Sequence, residues 1–194
     1  MKRYIKSAIS DISSEDFDAK LEMAFDPNTS VDLLWQLAKD PDLDVRLCLV
    51  ANPNTPKEII DELLYGSRDN KNIRFLEKVA MCLDTPSDIL GNLAYDEDAT
   101  VRYSVAKNPK TPEYALEELS TDSIPSIRWT VAGNKSTPVE VLRRLSKDVN
   151  ATVRGAVAEN YSTPMDVVES LLSDGHETVR GLARRTYNWN RNNR

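Results

Sequence analysis

Residues 100–126 read TVRYSVAKNPKTPEYALEELSTDSIPS, and the same grammar recurs on either side of them. Each copy can be laid on the residue just ahead of a Val-Arg or Ile-Arg pair: Asp44, Asn72, Thr100, Ser126, Thr152 and Thr178. The steps between these positions are 28, 28, 26, 26 and 26 residues. A fixed period in this range marks a stacked repeat, in which each unit buries its apolar face only against its neighbours.

One copy predicts two helices. All six positions hold Asp, Asn, Thr or Ser, the residues whose side chains cap a first turn. Val101 and Val105 then lie four apart on one face. Asn108, like Asn52, Asn134 and Asn160, is expected to end the first helix in the left-handed conformation that Asn tolerates. Thr111-Pro112 opens the second helix, with Thr as N-cap and Pro at the first helical position. The pair recurs at Thr55-Pro56, Thr85-Pro86, Thr137-Pro138 and Thr163-Pro164, and as Thr29-Ser30. Ala115, Leu116 and Leu119 form the second apolar face. A short helix of about two turns and a longer one of about three are expected.

Arg46, Arg74, Arg102, Arg128, Arg154 and Arg180 share one place in the first turn of the short helix. A cation there opposes the helix dipole, so something must offset it. Asp40, Asp96, Asp122, Asp148 and Asp174 each precede an Arg by six residues. These spacings predict a structural ladder of Arg–Asp pairs, with Arg128 on Asp122 or Asp148, rather than an anion-binding row. Arg suits it better than Lys because its planar fork meets both carboxylate oxygens.

The pattern VRxxVAxNPxTPxxxLxxLxxD resembles the leucine-rich repeat variant family, and its Asp-x5-Arg element resembles HEAT repeats. The resemblance covers about residues 18–182 and implies an all-α fold, a right-handed α-solenoid of two-helix repeats. A founding member of that family carries an iron–sulfur cluster on an N-terminal cysteine cluster. Here Cys48 and Cys82 are the only cysteines and both lie inside repeats, whereas a cluster normally takes four thiolates, so no cofactor is expected.

The expected organisation is an N-terminal capping segment (1–17), six repeats (18–43, 44–71, 72–99, 100–125, 126–151 and 152–177), and a terminal half-repeat with a basic C-terminal cap (178–194). In the degenerate first repeat Asp18 takes the cap place, Lys20 the Arg place and Met23 an apolar place. Residues 65–84 are irregular. Two extra residues are assigned to the exit of repeat two, where Gly66 replaces the loop Asp, and two to Phe75-Leu76-Glu77-Lys78 in repeat three. Tyr187 and Trp189 are expected to cover the last core.

The 194-residue chain carries a formal charge of −6, with 40% hydrophobic and 29% charged residues. That acidity argues against general affinity for nucleic acid or anionic membrane. No apolar run has transmembrane length and no signal peptide is read, so a reducing cytoplasm is the expected location. His176 is the only histidine, so a single chain cannot build a His triad or a metal site based on several His. No phosphate-cradling glycine motif is present, and the acidic stretches 40–44 and 96–98 lack the calcium-loop register.

The residue after each Arg forms a second column: Leu47, Phe75, Tyr103, Trp129, Gly155 and Gly181. It lies two residues beyond the first Val, about 200° around the helix, away from the core stripe. Leu47, Phe75, Tyr103 and Trp129 are therefore the candidate partner-binding strip. The chain is expected to be a non-catalytic scaffold for a protein or peptide. The alternative is a nucleic-acid-associated, HEAT-like protein of the DNA-repair kind.

Overall fold

The structure, a computed structural model, describes residues 17–66 and 70–192, without the side chains of residues 70 and 71. The expected N-terminal cap, residue 17 apart, lies outside the described residues, as does part of the irregular loop. Regular structure among the described residues is entirely helical. The helices are α1 (Phe17–Phe25), α2 (Val31–Leu37), α3 (Leu43–Ala51), α4 (Lys57–Tyr65), α5 (Asn70–Met81), α6 (Ser87–Leu93) and α7 (Ala99–Lys107). They continue as α8 (Glu113–Leu119), α9 (Pro125–Gly133), α10 (Val139–Leu145), α11 (Ala151–Glu159), α12 (Met165–Leu171) and α13 (Glu177–Asn192). None described is long and apolar enough to cross a membrane.

The contacts define two compact units, one reaching Val79 and including Asp84–Pro86, the other holding Ala80–Leu83 and everything from Ser87. In the first, α1 packs on α3, with α2 and α4 against them. In the second, α7, α9, α11 and α13 lie side by side in sequence order, each on the next. Helices α8, α10 and α12 cover the row and supply Ala115, Leu116, Leu119, Val141, Leu142, Leu145, Val167, Val168 and Leu171 to the core. The row supplies Val101, Val105, Ile127, Val131, Val153, Val157 and Val179.

The lengths of the paired helices are the reverse of the sequence expectation. The first helix of a regular pair has nine residues and the second seven. The cap residues explain this. The first helix begins earlier, because Asp98 and not Thr100 is its N-cap and accepts from Thr100 N at 2.8 Å. Asp42 and Asn150 cap α3 and α11 in the same way. The second helix begins later, because Pro112, Pro138 and Pro164 hold the N-cap place themselves. The Thr before each Pro turns back instead: Thr111 Oγ1 donates to the Val105 carbonyl at 2.6 Å, Thr85, Thr137 and Thr163 repeat the bond, and so does Thr29 ahead of Ser30. Thr55 is the exception, its buried hydroxyl having no hydrogen-bond partner among the described residues.

The Asn that ends each first helix is extended, not left-handed; Asn108 has φ −72° and ψ 125°. Its side chain bridges to the preceding pair. Asn108 Nδ2 donates to the Ala80 and Cys82 carbonyls at 2.8 and 2.9 Å, and its Oδ1 accepts from Lys110 N at 2.8 Å. Asn134 reaches Ala106 and Asn108, Asn160 reaches Ala132 and Asn134, and in the first unit Asn52 reaches Ala24 and Asp26. Each bond satisfies a C-terminal carbonyl that a helix end leaves without an intrahelical donor.

The frame at α5 also differs. The Thr85–Val79 bond equates Val79 with Val105, so Phe75 stands at the place of Val101. Arg74 then falls at the place of Thr100 and is exposed, while Leu76 occupies the Arg place and is fully buried. From Phe75 onward repeat three has the regular length, so all the extra residues precede it. Helix α13 runs for sixteen residues, burying Val179, Ala183 and Thr186, so the C-terminal stretch continues the last helix. Tyr187 is half-buried and Trp189 half-exposed, the latter with its ring centroid 5.1 Å from that of Tyr161.

Candidate functional site

Two sets of side chains were expected to matter, and the fold treats them differently. Each Arg of the first set emerges from the first turn of its helix into the loop before it. Arg128 Nη1 donates to the Asp122 carbonyl at 2.7 Å, six residues back. Its Nε and Nη2 hold both carboxylate oxygens of Asp148, twenty residues ahead, at 2.7 and 3.0 Å. Arg154 does the same with Asp148 O and Asp174, and Arg102 with Asp96 O and Asp122. The six-residue relation therefore runs through a carbonyl, and the carboxylate comes from the following copy. Each loop Asp also fixes its own turn: Asp40, Asp96, Asp122, Asp148 and Asp174 each accept the backbone N–H two residues on, at 2.8–2.9 Å.

Burial pushes the Asp122 and Asp148 carboxyls up, but the guanidinium hydrogen bond, the backbone N–H and the two flanking Arg charges outweigh it and hold both below the usual range. For Asp174 the Arg154 hydrogen bond is the largest influence and the direction is the same. Arg102, Arg128 and Arg154 are raised, chiefly by the same hydrogen bonds.

The remaining members depart from this arrangement. Arg180 Nη1 donates to the Asp174 carbonyl. Asp40 pairs with Lys20 at 2.9 Å, so Lys does the work of Arg in the first repeat, again across twenty residues. Arg46 Nη1 donates to the Asp40 carbonyl at 3.0 Å, but the residue twenty ahead is Gly66, and the Arg46 guanidinium lies over the Phe75 ring, 5.2 Å from its centroid.

The second set divides. Phe75 is 1% exposed and belongs to the core, because the α5 frame puts it at a Val place; it is not part of a binding strip. Leu47 and Tyr103 are half-buried and Trp129 is 46% exposed. In the second unit Tyr103 and Trp129, from adjacent helices α7 and α9, line a cavity of about 410 Å³ with Lys107, Gly133 and Glu159. Gly155 and Gly181 end the column.

The Asn column is the feature whose role the sequence did not show. Its signal was present, an Asn at one fixed place in four repeats, but local capping explained it equally well. On the outer face, Arg143 pairs with Asp166 and Arg144 hydrogen-bonds the Ser120 hydroxyl, tying α10 to its neighbours. His176 sits in the loop before α13, its backbone N–H bonded to Asp174. No group of three His, Cys, Asp or Glu among the described residues is placed to hold a metal ion.

No protein-family model and no curated protein matches the chain.

Proposed function

We propose that the helix pairs stack as a right-handed α-solenoid, similar to leucine-rich repeat variant and HEAT-like proteins, and that the chain is a non-catalytic scaffold presenting an extended surface to a protein or peptide. The observation that carries the binding reading is Trp129. It is 46% exposed on a helix whose other bulky apolar residues, Ile127 and Val131, are buried. It stands beside Tyr103 over a cavity large enough for one or two side chains. A large aromatic side chain at the edge of a pocket is the usual anchor of a peptide interface.

The stacking reading is supported by bonds that recur at separations of 20, 26 and 28 residues and join each copy to the one before. Three guanidinium groups of the Arg column are already held by carboxylates of their own chain, which favours a protein or peptide partner over nucleic acid. Panning a displayed peptide library against the folded chain tests the function. Enriched peptides that lose roughly tenfold or more of their affinity for Trp129→Ala support it. Peptides that bind Trp129→Ala and Tyr103→Ala unchanged, or no enrichment at all, contradict it.

A further inference from the structure

The first unit contains a cavity of about 760 Å³ walled by Trp35 and Phe75. Arg46 reaches into it. In three other copies the Nε/Nη2 edge of this same Arg is filled by an Asp twenty residues ahead, held at 2.7 Å on the Nε side. Here that place is Gly66, and no described residue supplies a carboxylate to the edge. The substitution is enforced locally. A Cβ on Gly66 would lie 2.5 Å from the Glu62 carbonyl oxygen and 2.8 Å from the Glu62 carboxylate, so the ladder Asp does not fit in this turn. Glu62 itself lies against Gly66 and makes no ion pair with Arg46.

The rest of the wall points to the ligand's chemistry. Among the described residues, Lys39 and Arg74 join Arg46 around the cavity against one acidic residue, Glu62, in a chain whose formal net charge is −6. The Arg46 guanidinium lies over the Phe75 ring, 5.2 Å from its centroid, and its Nη1 is held by the Asp40 carbonyl. A fork anchored through Nη1, with no carboxylate from a described residue on its Nε/Nη2 edge, suits a bidentate acid. Trp35, 36% exposed, provides the apolar contact for what flanks that acid.

We propose that this cavity is a binding site for an acidic peptide, in which an Asp or Glu side chain of the partner takes the place on Arg46 that Asp122, Asp148 and Asp174 take in the other copies. The apolar residue beside the acid rests on Trp35. This rests on the scaffold reading in that the carboxylate arrives on a peptide, but it is a site separate from the Trp129 cavity.

The rungs themselves supply the probe: the capped peptide acetyl-LSTDSI-amide, copied from residues 119–124, whose Asp is the one that Arg102 holds. The ¹⁵N side-chain resonance of Arg46 Nε and the Trp35 indole N–H are followed by NMR during titration of the full chain. The expected result is saturable movement of both, with affinity roughly tenfold lower for the peptide carrying Asn in place of Asp. Arg46→Met should lose binding, Arg46→Lys should retain a weakened fraction, and Arg143→Met, an exposed Arg of the outer face, should bind as the parent does. Thermal unfolding of Arg46→Met and Arg46→Lys reports whether each is folded. Equal binding of the Asp and Asn peptides, or no movement at Arg46, overturns the proposal. Acetate moving Arg46 as strongly as the peptide also overturns it, in favour of a small free carboxylate. Failure here with continued loss of panned peptides at Trp129→Ala would leave the scaffold reading standing.

Discussion

Arg128 grips Asp148, twenty residues ahead, with two nitrogens while its third donor holds the carbonyl of Asp122, six residues behind. One side chain thus joins the loop of its own copy to the loop of the next. Both partners are largely buried, with 13% and 7% of their side chains exposed. Removing one leaves the other charge without its partner, whereas removing both does not. Arg128→Met is expected to cost about 3 kcal/mol in urea unfolding. Arg128→Met with Asp148→Asn, whose Oδ1 can still accept the Asn150 N–H, is expected to recover much of that loss. A double variant no better than the sum of the singles would show that the pair is not coupled.

Acid should weaken the same contacts. The Asp122, Asp148 and Asp174 carboxyls are held below their ordinary value in the folded chain. Their stabilising contribution is therefore complete above the unfolded value of about 3.9 and is lost as pH falls through the depressed folded values. The urea midpoint should fall as pH drops below about 4. It should fall less steeply in the Arg128→Met, Asp148→Asn variant. Parallel curves for parent and variant would remove the Arg128–Asp148 pair as a source of the acid sensitivity.

The Asn column makes a separate prediction. Asn134→Ala removes both buried amide bonds to the Ala106 and Asn108 carbonyls; the Asn108 carbonyl keeps the Thr111 N–H at 3.2 Å, whereas the Ala106 carbonyl loses its side-chain donor. A loss of about 2 kcal/mol is expected from one orphaned buried carbonyl and one weakened one. Asn134→Asp should be at least as damaging, since it replaces the donor with an acceptor facing two carbonyls. Full stability in either variant would mean that water replaces the amide.

How much of this could be seen in the sequence depends on what each residue type can do. The period and the apolar faces were legible because six copies repeat them and only a helix pair uses that spacing. The Arg–Asp partnership was legible as a pairing of types but not as a pairing of copies. The Asp twenty ahead of one Arg is the Asp six behind the next, so spacing alone cannot choose between them. Thr111 and Asn108 were misplaced because a hydroxyl or amide that can cap locally can equally reach a distant carbonyl. At α5 the pair Ile73-Arg74 imitates the Val-Arg signature two residues out of frame, and burial of Phe75 and Leu76 decides it. The sequence shows Gly66 in place of the loop Asp, but not that the vacancy falls on Arg46, because spacing does not tell that each Arg takes the carboxylate twenty residues ahead.

The corrected frame separates two aromatics that the sequence placed in one column. Phe75→Ala should cost about 3–5 kcal/mol of stability, as for a fully buried ring. Trp129→Ala should change stability by about 0.5 kcal/mol or less. Comparable losses from the two in urea melts would return Trp129 to the core and remove the proposed anchor.

The stacked scaffold is tested most directly by small-angle X-ray scattering from the full chain in dilute solution. A compact globule of this length has a radius of gyration of about 16 Å. Successive helices spaced about 9 Å apart along a solenoid make a rod-like particle. The account predicts a radius of gyration well above the compact value, with a skewed distance distribution. A radius of about 16 Å with a symmetric distribution would contradict it.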